Sequence, residues 1–501
     1  MKQFPLFIFV LSFITSNAQY TTPNTGVKWD MDSLVLYSGG VVTNPATDEY
    51  LIIDDLEISE LDTLDIFAAI TVKLGPVVTV TVHGAFYADF FTDVIFTSTD
   101  TNAPYRGFRF ESTATAQFQN TVFAYGGGLK VLTPNFEMQF CTIHHNEVIL
   151  NTGAAIEIST GQPVFLNNSF ISNRQAAISS AANAEVAPII VDNIFQGNNT
   201  ANSNRPQINL GPSGTDTTWI QNNTITGNPD HDQVGGIGFS SFVPDIESYV
   251  SIIGNEITDN RYGIAVLNGS GVDQFAFIQG NTITNNNTQG DPILGGSGIN
   301  LNSTTESSLA ILRENTITGN LWGVTIQGSF LVNMGDDDIE AENPGLNSFD
   351  NNGNGGEIYA LYNNTPNFVS ALNNCWISSE DITLEQAEEV IFHQVDDPAL
   401  GLVNFNPIWN CGFVDGIIDP VLYDQIILYP NPANEFIYID FPIELKVNNY
   451  EIKSVSGQRI KSVSQQLKSG FKIEINNLKT GLYIIELQTN KGRLLKKLII
   501  N

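Results

Sequence analysis

The chain has 501 residues and a formal net charge of −32. This length allows two or more domains, or one long repetitive domain with an appendage. The charge is uneven: residues 425–501 hold 11 Lys and Arg against 6 Asp and Glu, a net of +5, which leaves −37 on residues 1–424. Such a surface repels nucleic acid and anionic membranes, and it is compatible with neutral glycans or calcium.

The first residues, MKQFPLFIFVLSFITSNAQ, have the pattern of a secretory signal peptide. Lys2 precedes an apolar run from Phe4 to Ile14, and small or polar residues follow up to Ala18. The run is too short for a membrane span. We therefore predict a signal peptide over residues 1–18 and a mature protein that is exported, without a membrane span.

A short phrase recurs through the middle of the chain. GNTITNN at 280–286 returns as NNTITGN at 222–228, GNEITDN at 254–260 and ENTITGN at 314–320. Alignment on the central apolar residue gives ten copies, spaced 21 to 34 residues apart and centred on Val122, Ile143, Phe170, Phe195, Ile225, Ile257, Ile283, Ile317, Phe349 and Trp376. Strand-length pieces and Asn-Gly turns fill each unit, which predicts short strands rather than helices.

A unit of this size cannot bury its apolar face alone, but stacked copies can. Asn suits such a stack because it tolerates left-handed turns and its amide can hydrogen-bond from rung to rung. NTITGN followed by GV or GI, and the passages ENPGLNSFDNNGNGGEIYALYNN, ALNNCWIS and DDPALGLVNFNP, resemble the pectin-lyase-like right-handed parallel β-helix proteins. This resemblance covers roughly residues 50–412 and implies an all-β fold with that architecture.

The predicted β-helix domain spans residues 19–415, with rungs over about 50–380. DITLEQAEEVIFHQV at 381–395 has helical periodicity, so we predict a capping helix over about 383–393 that covers the last rung. Of the three cysteines, Cys375 and Cys411 are the closer pair, and we predict a disulfide between them. Cys141 is then a small buried apolar residue. No cysteine spacing indicates zinc.

The composition changes to Lys-rich strands at the C terminus. After a linker at 416–425, residues 426–501 read as five or more antiparallel strands, which predicts a small Ig-like β-sandwich. The sequence resembles the type A C-terminal sorting domain of the type IX secretion system of Bacteroidota. The matching residues are Tyr429, Pro430, Asn431, Pro432, Gly457, Gly481, Leu482, Tyr483, Lys496, Lys497 and Leu498. The resemblance implies passage across the outer membrane, usually removal of the domain, and either surface attachment or release.

Catalytic patterns are sparse. The motif set of the polygalacturonases is absent, and a glycosidase needs two carboxylates at a set separation. Arg174 and Arg261 occupy the same place in their rungs; they could contact a polyanion, but solvated turn arginines are the simpler interpretation. His144 and His145 follow each other in a predicted strand, where neighbours face opposite sides, so we do not expect them to share a metal ion.

Loop lengths give the candidate site. The rungs at Asn223 and Asn281 carry long insertions, whereas those at Asn255 and Asn315 do not. Long and short loops therefore alternate along one edge and leave notches. The predicted ligand-binding residues are Tyr262 and Trp322 on the notch floors, with Arg261, Asp230, Asp232 and Asp291 beside them. Rings can stack on sugars while carboxylates accept hydroxyl protons. The alternative is that the loops fold over these rings and bury them.

The sequence thus favours an exported protein, on the cell surface or released, whose role is non-catalytic binding or adhesion with carbohydrate as the favoured ligand. The alternative is a polysaccharide lyase or glycoside hydrolase. We expect the type IX secretion machinery and an extracellular polysaccharide as partners, and no cofactor or metal, with calcium left open. The identity of the glycan and the choice between surface and release also stay open.

Overall fold

The structure is a computed structural model that describes residues 19–147, 153–269, 271–291, 296–337, 343–354, 356–379, 382–409, 425–442, 445–454, 459–489 and 492–500. These residues divide into two compact units. The first unit contains the residues up to Ile377 together with Leu384–Trp409. The second unit contains Ser378–Thr383 together with the residues after 409. No helix in the described ranges is long and apolar enough to cross a membrane. The predicted signal peptide and Cys411 lie outside these ranges.

Three long sheets run along the first unit because each rung contributes one strand to each face. Neighbouring strands of sheet 1 are parallel throughout. Its strands in order are β1 (Tyr20–Thr21), β5 (Leu56–Ile58), β8 (Thr79–Val82), β10 (Gly107–Phe110), β12 (Leu129–Val131), β15 (Ala154–Ile158), β18 (Ala176–Ser180), β21 (Ile208–Leu210), β24 (Ile237–Ser241), β27 (Ile264–Asn268), β30 (Ser297–Ser303), β33 (Trp322–Gly328), β38 (Leu361–Asn364) and β40 (Ile391–Phe392).

Sheet 2 is also parallel and precedes sheet 3 in each rung. Its strands are β2 (Lys28–Trp29), β6 (Thr63–Ile66), β9 (Ala85–Ser98), β11 (Thr115–Ala124), β13 (Asn135–Gln139), β16 (Val164–Leu166), β19 (Ile189–Val191), β22 (Thr217–Gln221), β25 (Ser248–Ile253), β28 (Gln274–Gln279), β31 (Leu309–Arg313), β34 (Leu331–Asn333), β39 (Val369–Ser370) and β41 (Val403–Asn404).

Sheet 3 completes the rung, and the long strands β9 and β11 belong to both sheets. Its other strands are β3 (Val42–Ala46), β4 (Glu49–Ile52), β7 (Thr71–Leu74), β14 (Thr142–His144), β17 (Ser169–Ile171), β20 (Ile194–Gln196), β23 (Thr224–Thr226), β26 (Glu256–Thr258), β29 (Thr282–Thr284), β32 (Thr316–Thr318) and β35 (Ser348–Asp350). β3 and β4 pair antiparallel, as do β36 (Gly353–Asn354) and β37 (Glu357–Ile358). Rung pairing thus runs from residue 20 to residue 404, wider than the predicted 50–380.

The central apolar residue of each repeat points into the core and stacks on its equivalent in the next rung. Phe170 and Phe195 lie 4.8 Å apart with parallel rings, and Phe349 stacks on Trp376 at 5.2 Å. The predicted alignment is wrong by one residue at its first copy. Phe123, not Val122, pairs with Ile143, and Phe123 is the buried member of the two.

Buried asparagines form two ladders along the turns that flank sheet 3. In each, the side-chain Oδ1 accepts from the backbone N–H and the amide of the equivalent residue one rung earlier, as Asn281 does from Asn255 at 2.9 Å. The first ladder is Asn168, Asn193, Asn223, Asn255, Asn281, Asn315, Asn347 and Asn374. These bonds confirm the predicted rung-to-rung role of the repeated Asn.

The second ladder contains one substitution. It runs through Asn146, Asn173 and Asn198, and then through Asn260, Asn286, Asn320 and Asn352. Between these two groups, Gln207 accepts from Asn198 and donates to Asn260, both at 3.0 Å. Asn228, the sequence equivalent in that rung, instead faces His231. The ladder therefore continues past the long loop that follows Asn228, because Gln207 takes the place of Asn228.

Glycine is required where sheet 3 turns into sheet 1. A Cβ at Gly263 would lie 2.5 Å from the Gly298 carbonyl oxygen and 2.5 Å from Ile283 Cγ2. Gly298 meets the Gly323 oxygen in the same way at 2.9 Å. Because successive rungs approach so closely at this corner, the repeat ends in GI or GV.

Short helices lie near both ends. α1 (Met31–Tyr37), which we did not predict, has Asp30 as N-cap with a capping box to Ser33. α2 spans only Leu384–Glu388, so the predicted capping helix over 383–393 is too long. Its predicted last turn forms instead the final strand of sheet 1, β40, because Ile391 and Phe392 pair with β38.

The second unit contains two antiparallel sheets around a shared apolar core. One has β42 (Ile427–Tyr429), β43 (Phe436–Asp440) and β46 (Phe471–Glu474). The other has β45 (Arg459–Leu467), β44 (Val447–Ser454), β47 (Gly481–Thr489) and β48 (Gly492–Ile500). This is the predicted Ig-like β-sandwich.

Candidate functional site

The structure brings part of the predicted site together at the corner before sheet 1. The Tyr262 ring lies flat on Gly235, where a Cβ would fall 2.2 Å from the ring, and burial raises its pKa to about 12. Arg261 is only 8% exposed and donates to Asn204 Oδ1 at 2.5 Å. Asn202 donates to Asp232 at 2.9 Å, and this bond is the main reason that the Asp232 pKa is lowered. Neighbouring loops therefore cover this corner.

The other predicted residues do not converge on an open notch. Asp230 is exposed and its N–H donates to Asn228, which makes a local turn, while Asp291 is half-exposed in the next long loop. In the described ranges, no three His, Cys, Asp or Glu side chains are arranged to hold a metal ion. The corner is thus a packed loop cluster, and its ligand-binding role stays an untested prediction.

The prediction that Trp322 forms an open notch floor is wrong. Trp322 is only 7% exposed because the next rung covers it: its ring stacks on Tyr362 at 4.5 Å and meets Tyr359 edge-on at 5.4 Å. Tyr362 in turn stacks on Phe392 at 4.6 Å. Tyr362 is therefore stacked between Trp322 and Phe392, and the Trp322 ring is a packing group.

Two other predictions need correction. Arg174 is an exposed turn residue paired with Glu147 at 3.3 Å, as expected, but Arg261 is buried by the loop that carries Asn204. His145 has a left-handed φ of 52°, which turns its ring to the same side as that of His144, so the two Nδ1 atoms lie 2.9 Å apart. The strand ends at His144, and the expected alternation stops there.

An open surface that we did not predict covers the outer face of sheet 2. Strand alternation places every second residue of its strands on this face, and parallel register aligns them in columns along the helix axis. One column is Asp65, Tyr87, Gln117, Glu137, Val164, Ile189, Trp219, Ser251, Phe277 and Ile311. Beside it run Gln119, Gln139, Leu166, Val191, Gln221, Ile253, Gln279 and Arg313. We call this surface the sheet-2 face.

A cavity of about 260 Å³ lies on the sheet-2 face near the N-terminal end of the helix. Its lining combines three aromatic residues, three carboxamides and one carboxylate: Phe67, Tyr87, Phe118, Gln117, Gln119, Gln139 and Glu137. The Gln139 amide donates to the Glu137 carboxylate, which fixes both groups. Such a lining can accept and donate hydrogen bonds side by side while a ring covers an apolar face of the ligand.

Further along, the sheet-2 face becomes aromatic. Tyr249 and Phe275 are directly paired, and Phe277 lies two residues after Phe275 on the same strand. Trp219 is 38% exposed and is separated from Phe277 by the small Ser251. A sequence signal was present: in QFAFIQ at 274–279 both strand faces are apolar, where a strand with one solvated face has polar residues at alternate positions.

Hydrogen bonds join the segment after the first strand of the β-sandwich to its last strand. The Asn431 side chain donates to the Lys497 carbonyl at 2.7 Å and accepts from the Ile499 N–H at 2.8 Å, which ties the YPNP segment to the last strand. The Tyr483 hydroxyl donates to the Lys479 carbonyl at 2.9 Å. Gly457 lies outside the described residues. Asn431 and Lys497, which both match motifs of the sorting domain, thus contact each other.

Two family models match the chain. Residues 427–501 match the secretion system C-terminal sorting domain, and residues 78–209 match the right handed beta helix region. The chain is a right-handed parallel β-helix protein with a type IX secretion sorting domain. That domain directs export to the cell surface or the extracellular space.

Similar solved structures include three forms of the periplasmic alginate epimerase AlgG. They are the enzyme itself (15% identity, 75% of this chain, 83% of that chain, TM-score 0.45), a single mutant (14%, 75%, 83%, 0.44) and a double mutant (13%, 76%, 83%, 0.45). This likeness concerns the β-helix fold alone. No curated protein sequence matches the chain.

The cysteines behave as two classes in this β-helix protein. Cys375 is disulfide-bonded, and its predicted partner Cys411 lies outside the described residues, so the pairing stays a prediction. Cys141 is free and buried, as predicted, and burial raises its pKa to about 12. Its thiol is therefore a packing group and not a nucleophile.

Proposed function

We propose that the protein is an exported, non-catalytic carbohydrate-binding protein and that its sheet-2 cavity holds a neutral glycan. The observation that supports this is the combination of Tyr87 and Phe67 with Gln117, Gln119 and Glu137 around one cavity. A carboxamide offers a donor and an acceptor in one plane, and a carboxylate accepts from two hydroxyls. The ring faces cover the C–H side of a sugar.

The charge of the β-helix favours a neutral ligand. Residues 1–424 carry a formal −37, which repels polyanionic chains. The cavity, at about 260 Å³, is smaller than a typical site for a drug-sized ligand, roughly 300–1,000 Å³. It therefore suits a short section of a chain whose remainder lies outside it.

Substitutions in the cavity test this proposal. We expect Glu137→Gln and Gln117→Ala each to weaken binding about tenfold, because each removes about 1.4 kcal/mol of hydrogen bonding to the ligand. The measurement is calorimetric titration of residues 19–501 with cello-, manno-, xylo- and galacto-tetrasaccharides.

Gln196→Ala is the matched control, because Gln196 is exposed on the outer face of sheet 3. Its affinity should equal that of the unsubstituted protein. Equal affinity in both cavity variants would contradict the proposal, and so would the absence of binding to every neutral tetrasaccharide.

One observation favours the alternative of a polysaccharide lyase or hydrolase. Arg109, Lys130 and Glu157 are adjacent in register on the outer face of sheet 1. A lyase uses a base and a group that neutralises the uronate. Arg109 is paired with Glu111 and Lys130 with Glu157, however, which is the arrangement of structural ion pairs.

An activity assay decides between the two functions. Residues 19–501 would be incubated with neutral and uronate polysaccharides, and new reducing ends and unsaturated uronate absorbance would be followed. If the protein only binds glycans, neither new reducing ends nor unsaturated uronate should form. Turnover that is lost in Lys130→Ala would establish the alternative and place the active site on sheet 1.

A further inference from the structure

The sheet-2 face continues beyond the cavity without a change of register. The column that contains Tyr87, Gln117 and Glu137 reaches Trp219 three strands after Glu137 and Phe277 two strands later. At about 4.8 Å for each strand, Glu137 and Trp219 lie about 14 Å apart along the helix axis. Tyr87 and Phe277 lie about 34 Å apart by the same spacing.

Rings and carboxamides also lie side by side in the distal part. Gln221 and Gln279 stand two residues after Trp219 and Phe277 on the same strands, as Gln119 stands after Gln117 and Gln139 after Glu137 in the cavity. Arg313 lies over Phe277 at 4.9 Å and donates to Gln279 at 3.2 Å, which keeps a polar group beside this ring. The distal part is thus not a purely apolar patch, and its chemistry repeats that of the cavity.

A small residue separates two rings of the column. Ser251 sits between Trp219 and Phe277, so these rings are two strand spacings, about 10 Å, apart, and Ser251 is buried beneath its neighbours. On the same strand as Ser251, the Tyr249 hydroxyl donates to Glu247 at 2.9 Å. Rings with polar groups beside them suit a polar chain better than an apolar protein surface.

We infer that the sheet-2 face binds one extended neutral polysaccharide chain along the helix axis. Its end or a short section occupies the cavity, and its later sugars stack on Trp219, Tyr249 and Phe275. This inference rests on the proposed function of the cavity. Successive rungs then act as an array of weak subsites, so affinity grows with the length of the chain.

Chain-length dependence tests the inference separately from the cavity. We would titrate residues 19–501 with disaccharides, tetrasaccharides and hexasaccharides of each series above, together with longer soluble fragments of the same neutral polysaccharides. The expected result is a Kd at least tenfold lower for fragments long enough to reach Trp219 than for tetrasaccharides. In Trp219→Ala/Phe275→Ala this gain should disappear while tetrasaccharide affinity stays unchanged.

Two further variants complete the design. Trp219→Tyr retains an aromatic face and should keep most of the gain, which separates loss of stacking from loss of folding. Phe242→Ala removes a ring that is 58% exposed outside sheet 2 and should change nothing. Suppose that Glu137→Gln weakens tetrasaccharide binding but the length-dependent gain in affinity survives the double substitution. The proposal for the cavity then holds, and the inference of an extended chain along the sheet-2 face is wrong.

Self-association gives the opposing result. If the distal rings instead bury against a second copy, sedimentation will show a dimer that Trp219→Ala/Phe275→Ala dissociates, and long fragments will bind no better than short ones. That outcome would contradict binding of an extended chain along the sheet-2 face. The proposal for the cavity would still be tested by Glu137→Gln and Gln117→Ala.

Discussion

Asn281→Ala should lower the free energy of unfolding by about 3 to 5 kcal/mol, because several buried polar groups lose partners at about 1 to 3 kcal/mol each. The Asn281 oxygen accepts from the Asn255 N–H and amide, and its own amide donates to the Ile252 carbonyl at 2.9 Å and to Asn315 at 2.9 Å. Water cannot replace these hydrogen bonds because Asn281 is buried in the ladder.

Denaturant unfolding of residues 19–501, followed by circular dichroism, measures this effect. Asn287→Ala is the matched control: its exposed amide makes one bond, to the Gly319 carbonyl, and its loss should cost less than about 1 kcal/mol. Equal unfolding midpoints for Asn281→Ala and the control would show that the ladder does not hold the rungs together.

Gly263→Ala should cost about 3 kcal/mol, since overpacking a close contact costs about 1 to 3 kcal/mol and here two contacts are violated. The added Cβ would meet the Gly298 oxygen and Ile283 Cγ2, both at 2.5 Å, and the oxygen belongs to the backbone of the next rung. The two rungs would have to separate, which also strains the sheet 1 hydrogen bonds that follow.

Gly290→Ala provides the comparison, because nothing lies within 4 Å of its added Cβ. Its unfolding midpoint should match that of the unsubstituted protein. A Gly263→Ala variant with the same midpoint would show that the close approach of the rungs is not required at this corner.

The sequence predicted the architecture because its causes are local and repeated. The turn asparagines, the inward Ile or Phe and the corner glycine recur in each unit, and each has one physical task. Where the repeat weakens, prediction failed: the first copy was misaligned at Val122, and the helix over 383–393 was cut short when Ile391 joined sheet 1.

The candidate site was harder to predict because it depends on which rings remain uncovered. Trp322 and Tyr262 were chosen from loop lengths, but covering is decided by the side chains of neighbouring rungs, such as Tyr362 over Trp322. The sheet-2 face arises from residues 20 to 34 apart along the chain, and their alignment requires the register of the strands. Only the doubly apolar QFAFIQ strand was visible beforehand.

The most direct test of the central claim is a crystal structure of residues 19–501 with the neutral hexasaccharide that binds best in the titrations. We expect sugar density on the sheet-2 face, in the cavity beside Tyr87 and Glu137 and continuing toward Trp219. Density at the Tyr262 corner or on the outer face of sheet 1, with the sheet-2 face empty, would contradict it.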